Sequence, residues 1–386
     1  AQDIVDFVST PVMQEKLEAV GAKKRSITVW TAQHWLHRMG WWYGRRKNGM
    51  YIDGHECEDV VEYWEHFIKR WKGYELRMTT CDNDGNIDKI PVGFHVSDGH
   101  FKLILVTHDE STFYENDRRQ NHWSYKGDKA TPQKKGEGVS LMVSDFLTSE
   151  WGRLTDGDEE ARIVFKVGKN WDSYFTADDL IKQVDNTIDI FEGQTNGFAT
   201  SLWLFNNAPS HQKCANDALS AQKMPKNPNN GWRHRKGGTR MRNATFSSDG
   251  STQELYYPDD HPTMAGWFKG MEEIIKEHGL WPADGLLAQC EGFKCKPGHT
   301  NCCCRCILFT QPDFVSQKSQ LEEFVTSHRH ICDFYLKYHC ELNFIEQYWG
   351  TAKLQYCITA CMANIVEMEK NTLNCLNDVP LLQMRR

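Results

Sequence analysis

LWLFNNAPSH, Leu202 to His211, reads as an apolar strand that runs into a polar turn. Strands that hand polar side chains to a turn commonly present a catalytic group there. For metal-dependent chemistry the group wanted at the strand's end is an acid, and position 206 is Asn. The stretch is either an active-site strand whose acid has been replaced, or merely a strand and a turn. The rest of the chain decides between them.

At 386 residues, with 40% hydrophobic and 25% charged residues, the chain has room for two or three ordinary cores. No apolar run approaches the roughly 18 residues of a membrane span, so no membrane partner is expected. The start, AQDIVDFVST, has neither the basic nor the apolar region of a signal peptide. Net charge is −7, which gives no global attraction to nucleic acid. The charge is uneven, however. Lys223 to Arg242 is dense in Lys and Arg and holds no acid, and Arg233, Arg235, Lys236, Arg240 and Arg242 are its candidate phosphate contacts.

SITVWTAQHWLHRMG, residues 26–40, predicts a short helix with Ser26 or Thr28 as its cap and Gly40 as its stop. Lys23, Lys24 and Arg25 precede it, and Arg45, Arg46 and Lys47 follow it. A small helix between basic clusters suits a DNA-binding helix-turn-helix, with His34 and Arg38 on its exposed side. Glu58 to Lys72 predicts a second helix with Val60, Val61, Trp64, Phe67, Ile68 and Trp71 as its core stripe. CDNDGNID, residues 81–88, lacks the first and twelfth ligands of a calcium loop and is read as a hairpin turn.

From Phe101 the texture becomes α/β. Lys102 to Thr107 is a buried strand ending at His108-Asp109-Glu110. HWSYKGD, GVSLMVSDFL and ARIVFKV are further strands, DDLIKQVDNTIDIF is an amphipathic helix, and SLWLF is another strand. GWFKGMEEIIKEHG, LEEFVTSHRHICDFYL and LNFIEQYWGTAKLQ read as helices. Asp109, Asn206 and Glu346 therefore stand at two strand ends and a helix start. Nucleases that use two divalent ions gather carboxylates from separate elements in this way, to activate one oxygen and stabilise the one that leaves.

ILVTHDESTFYEND, LWLFNNAPSH and YHCELNFIEQYWGTAK resemble the three acidic motifs of DDE transposases of the mariner type. They resemble still more the DDE endonuclease-like proteins abundant in mushroom-forming fungi. The resemblance implies an RNase H-like fold, a mixed five-stranded sheet flanked by helices. It implies Asp109, position 206 and Glu346 as the catalytic set, with Asp109 and Glu346 holding Mg²⁺ or Mn²⁺. It also implies double-stranded DNA, in the form of transposon terminal inverted repeats, as the partner of a nuclear homodimer. His211 stands where the family also has His and is read as a cap on a following helix.

Two departures from the family matter. Asn206 replaces its second Asp, and an amide brings no negative charge to a metal. Glu110 cannot substitute, because adjacent strand residues face opposite ways. By resemblance Arg is expected at Cys57, Trp64 and Cys306, and these changes and Asn206 are each one C-to-T or G-to-A transition away. That pattern fits a decaying or domesticated copy that binds DNA without cutting it. Second, 140 residues separate Asn206 from Glu346, against a few tens in the family, so an insertion is expected. The expected divisions are 1–75 (helix-turn-helix remnant and linker helix), 76–215 (first part of the core), 216–320 (insertion) and 321–386 (last helices).

The insertion contains CEGFKCKPGHTNCCCRC, residues 290–306. Cys290, Cys295, Cys302 and one of Cys303 or Cys304 suit a closed tetrahedral Zn²⁺ site, which would staple a segment too small for its own core.

Overall fold

A computed structural model describes residues 2–39, 54–91, 102–117, 136–167, 175–246, 250–295, 298–359 and 364–385. The chain divides into two units, Ala1–Asp53 and Gly54–Arg386. Arg45, Arg46, Lys47 and the expected strand HWSYKGD lie outside the described residues. Among the described residues, no helix is long and apolar enough to cross a membrane.

Among its described residues the first unit holds three short helices, α1 (Gln2–Val8), α2 (Pro11–Ala19) and α3 (Val29–Arg38). Gly21, in the left-handed region at φ 67°, ends α2. Thr28 caps α3 by accepting from the backbone of Thr31 at 3.3 Å. Val8 and Ala32 form the small buried centre.

The second unit begins with α4 (Glu58–Glu75), followed by the hairpin Thr80–Cys81 with Ile87–Lys89. That hairpin matches the reading of CDNDGNID. Asp82 accepts from the backbones of Asp84 and Asn86 across the turn, and Gly85 supplies φ 83°. The expected first division ended at 75 and took this helix as a linker. α4 packs on the sheet, where Phe67 joins Leu103, Leu202 and Leu204. Val60 and Phe67 are buried as the stripe predicts, whereas Val61 and Trp64 are exposed.

The sheet comprises β1 (Lys102–Tyr114), β2 (Ser140–Thr148), β3 (Ile163–Val167), β4 (Ala199–Phe205) and β5 (Ile331–Phe334). β1 pairs antiparallel with β2, and β2 antiparallel with β3. β1 pairs parallel with β4, and β4 parallel with β5. The spatial order 3-2-1-4-5, with one antiparallel meander and two parallel additions, is the RNase H-like topology expected. A two-residue strand, Gly152–Arg153, adds to the end of β2.

Alternation sorts the side chains of β4, all of which are buried. Trp203 and Phe205 face α5 (Ala177–Thr195) with Ile104 and Val106 of β1. Leu202 and Leu204 face α4. A capping box of Thr176 with Asp179 starts α5. Beyond the meander, Phe113, Leu141 and Val143 pack under α9 (Ile345–Ile358) and α10 (Ile365–Asn377), against Tyr348, Trp349 and Leu376.

Two local readings change. LEEFVTSHRHICDFYL is not one helix: α8 (Gln320–Ser327) gives way to β5 after Arg329, which takes φ 65° and turns the chain. The insertion between β4 and α8 does have a core of its own. Met224, Leu255, Phe268, Met271 and Ile274 meet Ile307 and Leu308, with α6 (Met271–Glu277) and α7 (Cys304–Phe309) as its helices. Fifteen of the described residues are buried there, which makes a metal staple unnecessary as a substitute for hydrophobic burial. Its two ends meet in an antiparallel bridge, Cys214 with Ser319, beside the bond from Gln320 N–H to the Lys213 carbonyl at 2.8 Å.

Candidate active site and cysteine cluster

Asp109 lies inside β1, not at its end. The parallel partner β4 stops pairing at Thr107, where the sequence suggested the strand would finish. The antiparallel partner β2 carries the strand on to Tyr114, with Asp109 opposite Asp145. Asp109 thus sits where one neighbour ends and the other continues, which leaves its carboxyl facing the tip of β4.

At that tip Asn206 donates its amide Nδ2–H to Asp109 Oδ1 at 2.7 Å. Asn343 completes the arrangement. Its Nδ2 donates to the His108 carbonyl at 3.1 Å and to Asn206 Oδ1 at 3.2 Å, and its Oδ1 accepts from Thr107 Oγ1. The same Oδ1 accepts from the Ile345 backbone at 3.4 Å, at the start of α9. One buried amide therefore joins β1, the end of β4 and the helix that carries Glu346. Glu346 is exposed, yet near enough that its charge acts on Asp109. Burial above all, then the charges of Glu110 and Glu346, push the Asp109 carboxyl from 3.8 up to about 7.

Glu110 faces the other side of the sheet. It lies 3.6 Å from His211 Nε2, and His211 Nδ1 is 2.8 Å from the carbonyl oxygen of Asn206. Although burial opposes protonation, Glu110 and the Asn206 carbonyl hold the His211 imidazole above its usual range. His211 lies in a turn, and the next helical element, Ala221–Lys223, begins ten residues on, so it caps no helix: the ring braces Asn206 from behind. His108, fully buried against Ser144 at 2.8 Å, is pushed down to about 4 by desolvation.

Sequence reasoning missed Asp145. Being opposite Asp109, it shares the same face of the sheet. Tyr348 donates to it at 3.2 Å, and Arg153 stands 3.6 Å away. It is buried under α9, and that burial raises its carboxyl pKa against the opposing charges of Arg153 and Arg162, which marks it as a structural group. The spacing of SDFL within a strand shows no sign of this pairing, which depends on register.

The basic residues have mixed fates. Arg242 is a clamp: it bonds Asp217 at 2.8 Å and takes both oxygens of Glu323 on α8. It is committed to protein carboxylates, and its reading as a phosphate contact is corrected. Arg240 lies over the Tyr256 ring and 3.8 Å from Asp259, Arg233 lies over the same ring, and Arg235 bonds Asn216. Lys236 is exposed. In the first unit Lys23, Lys24 and Arg38 are exposed, Arg25 pairs with Glu18 at 3.3 Å, and His34 stacks on Trp30.

The cysteines resolve more sharply. Sulfur atoms of Cys290, Cys295, Cys302 and Cys303 all lie within 4.8 Å of one another. The Cys290–Cys302 separation is 3.4 Å and the Cys295–Cys303 separation 4.0 Å. Tetrahedral sulfurs bonded to zinc at about 2.3 Å stand about 3.8 Å apart, so these spacings bracket a closed four-thiolate set. Cys304 is excluded as a ligand. It is fully buried in the insertion core beside Ile307 and Leu308. Cys306 donates to the His299 carbonyl at 3.0 Å. Within the set, hydrogen bonding from Cys290 draws the Cys302 thiol down.

Topology and site together define an RNase H-like protein with Asp109, Asn206 and Glu346 gathered about the centre of its sheet. Among solved structures, 54% of the chain is similar to 52% of the chain in the pre-cleavage Mos1 transpososome, at 16% identity and a TM-score of 0.26. Against the mariner Mos1 paired-end complex with Mg the values are 17% identity and 0.27, over 54% and 51% of the chains. Against the Mos1 strand transfer complex they are 15% and 0.25, over 54% and 50%. The chain thus spans about half the length of the solved chains it matches. No family model and no curated protein matches it. The fold assignment rests on strand order and register.

Proposed function

We propose that this chain is a DDE-type transposase or endonuclease-like protein, of the kind found in mushroom-forming fungi, that acts on double-stranded DNA in the nucleus. The observation that carries the reading is the Asn343 network. It draws Asp109, position 206 and the helix of Glu346 to one point on an RNase H-like sheet. Its DNA would be transposon ends, gripped as a homodimer, with Lys23, Lys24 and Arg38 in the first unit and Lys236 in the insertion as candidate phosphate contacts.

The donor set limits the chemistry. Asp109 and Glu346 suit one hard divalent ion, Mg²⁺ or Mn²⁺, whose role is to polarise a phosphate or a water. Asn206 offers Asp109 an N–H where a second carboxylate would offer a cation charge. Two carboxylates cannot neutralise two divalent ions, so strand cleavage is weak or absent in this chain. The four thiolates of Cys290, Cys295, Cys302 and Cys303 would hold structural Zn²⁺, with no open position for catalysis.

Nicking of supercoiled DNA in Mn²⁺ tests the reading, with the chain compared against Asn206→Asp. Nicking by the Asp variant alone, lost again on adding Glu346→Gln, supports it. DNA binding without nicking by either protein favours the second reading, a domesticated DNA-binding protein, to which Asn206 lends weight.

A further inference from the structure

His55, His339 and Glu341 form a second group of metal-ligating atoms, all within 4.8 Å of one another. It shares no residue with the acidic centre, the thiolates or the basic run. His55 follows Gly54 at the start of the second unit, and His339 and Glu341 belong to the turn between β5 and Asn343. The backbone shows that the two segments are built to meet. Tyr338 takes φ 68°, a conformation that non-glycine residues rarely adopt. Its ring lies so close to Gly54 that a Cβ there would come within 2.5 Å. Gly54 is thus required for contact, and the contact sets His55 edge-on to His339 with centroids 4.4 Å apart.

The surroundings suit a ligand set. Trp64 of α4 covers the His339 ring at 4.9 Å, which explains why this residue of the apolar stripe is turned outward. His339 Nδ1 is 2.7 Å from Glu341 Oε1. That bond draws the Glu341 carboxyl down and keeps it an anion. The His339 side chain is 13% exposed and that of Glu341 60%, so the group opens to solvent on one side.

We propose that His55, His339 and Glu341 bind a divalent transition ion of borderline softness, such as Zn²⁺ or Co²⁺. Two imidazoles and one carboxylate match that class and disfavour Mg²⁺, which takes oxygen ligands and keeps its waters. Water would complete the coordination on the exposed side. The ion would fasten the segment before α4 to the turn that leads into Asn343, and so would stiffen the approach to Glu346.

The full chain, its thiolates first given one equivalent of Zn²⁺, is titrated with Co²⁺ by calorimetry and absorption. With excess Mg²⁺ present to occupy Asp109 and Glu346, one further ion per chain is expected, without the intense charge-transfer band of cobalt bound to thiolate. His55→Ala, His339→Ala and Glu341→Gln should each weaken that event by more than about tenfold. Glu341 is exposed enough that its variant folds regardless. Absence of a second event, or one that all three substitutions leave unchanged, overturns the proposal. Should the thiolates retain no Zn²⁺, their binding of cobalt declares itself by colour, and the histidine event is still read separately.

Discussion

Asn206 and Asp109 are joined by a 2.7 Å hydrogen bond in which the amide donates and the carboxyl accepts. In a site of paired acids the same two positions would repel one another until a cation came between them. Here they attract without one. The amide has converted a metal-dependent contact into a self-sufficient one.

Asp109 should therefore shape stability in metal-free protein. Its folded carboxyl titrates at about 7, above the ordinary 3.8. A raised acid lends stability that is complete below pH 4 and is lost as pH rises through 7. Thermal melts from pH 4 to 8 should show that decline, and Asp109→Asn should flatten it. Mn²⁺ should oppose the loss, and more strongly in Asn206→Asp, where each tenfold excess of metal over Kd adds about 1.4 kcal/mol. Equal Mn²⁺ effects on both proteins would argue against a shared site.

Arg70 and Asp333 hold α4 to β5 through two bonds, of 2.8 and 2.9 Å, and Tyr74 adds a third at 3.3 Å. Arg70→Ala leaves the buried carboxylate to the Tyr74 hydroxyl and the backbone N–H of Phe334. The Arg70 side chain is 37% exposed, so the expected cost is about 2 kcal/mol, below that of a fully buried pair. Urea melts measure it, and Asp333→Asn added to Arg70→Ala should recover part of the loss. A double variant no more stable than the single would count against this account.

Cys303 and Cys304 are neighbours with opposite expectations. Cys303→Ser should lower the zinc content of purified protein while leaving the insertion folded, since its core does not need the metal to form. Cys304→Ser should leave zinc bound and destabilise the chain by about 1–3 kcal/mol, because a hydroxyl enters an apolar core. Metal analysis and melts of the two variants, side by side, separate these roles.

Arg242 and Lys236 should part in the same manner. Arg242→Ala removes the clamp on Asp217 and Glu323 and should lower Tm, with no specific effect on the salt dependence of DNA binding. Lys236→Ala should leave Tm unchanged and reduce the slope of log K against log salt by about 1. A slope unmoved by Lys236→Ala would remove this lysine from the interface.

Much of this was legible in the letters. The all-apolar LWLF, the Leu-Asn-x-Ile-Glu run and the capping signal of α3 are local, and local chemistry survives folding. What stayed hidden depended on register and tertiary pairing. No pattern around Asp109 reveals that β2 carries the strand past it, or that Asp145 ends up opposite. ICDF, four residues after a helix, became a strand because β4 offered a free parallel edge. The choice of Cys303 over Cys304 turns on which face of α7 meets the insertion core, and adjacent identical letters cannot disclose that.

The bridge between Cys214 and Ser319 gives the fold a seam. About a hundred residues leave and rejoin the host at a single point, one strand spacing wide. Whatever lies beyond that point can lengthen, shrink or be exchanged without shifting any strand of the sheet by even one residue. Arg242, reaching back to Glu323, is the latch across it. The architecture is in effect a socket with a removable attachment, and new binding properties can be tried in the attachment while the socket keeps its form.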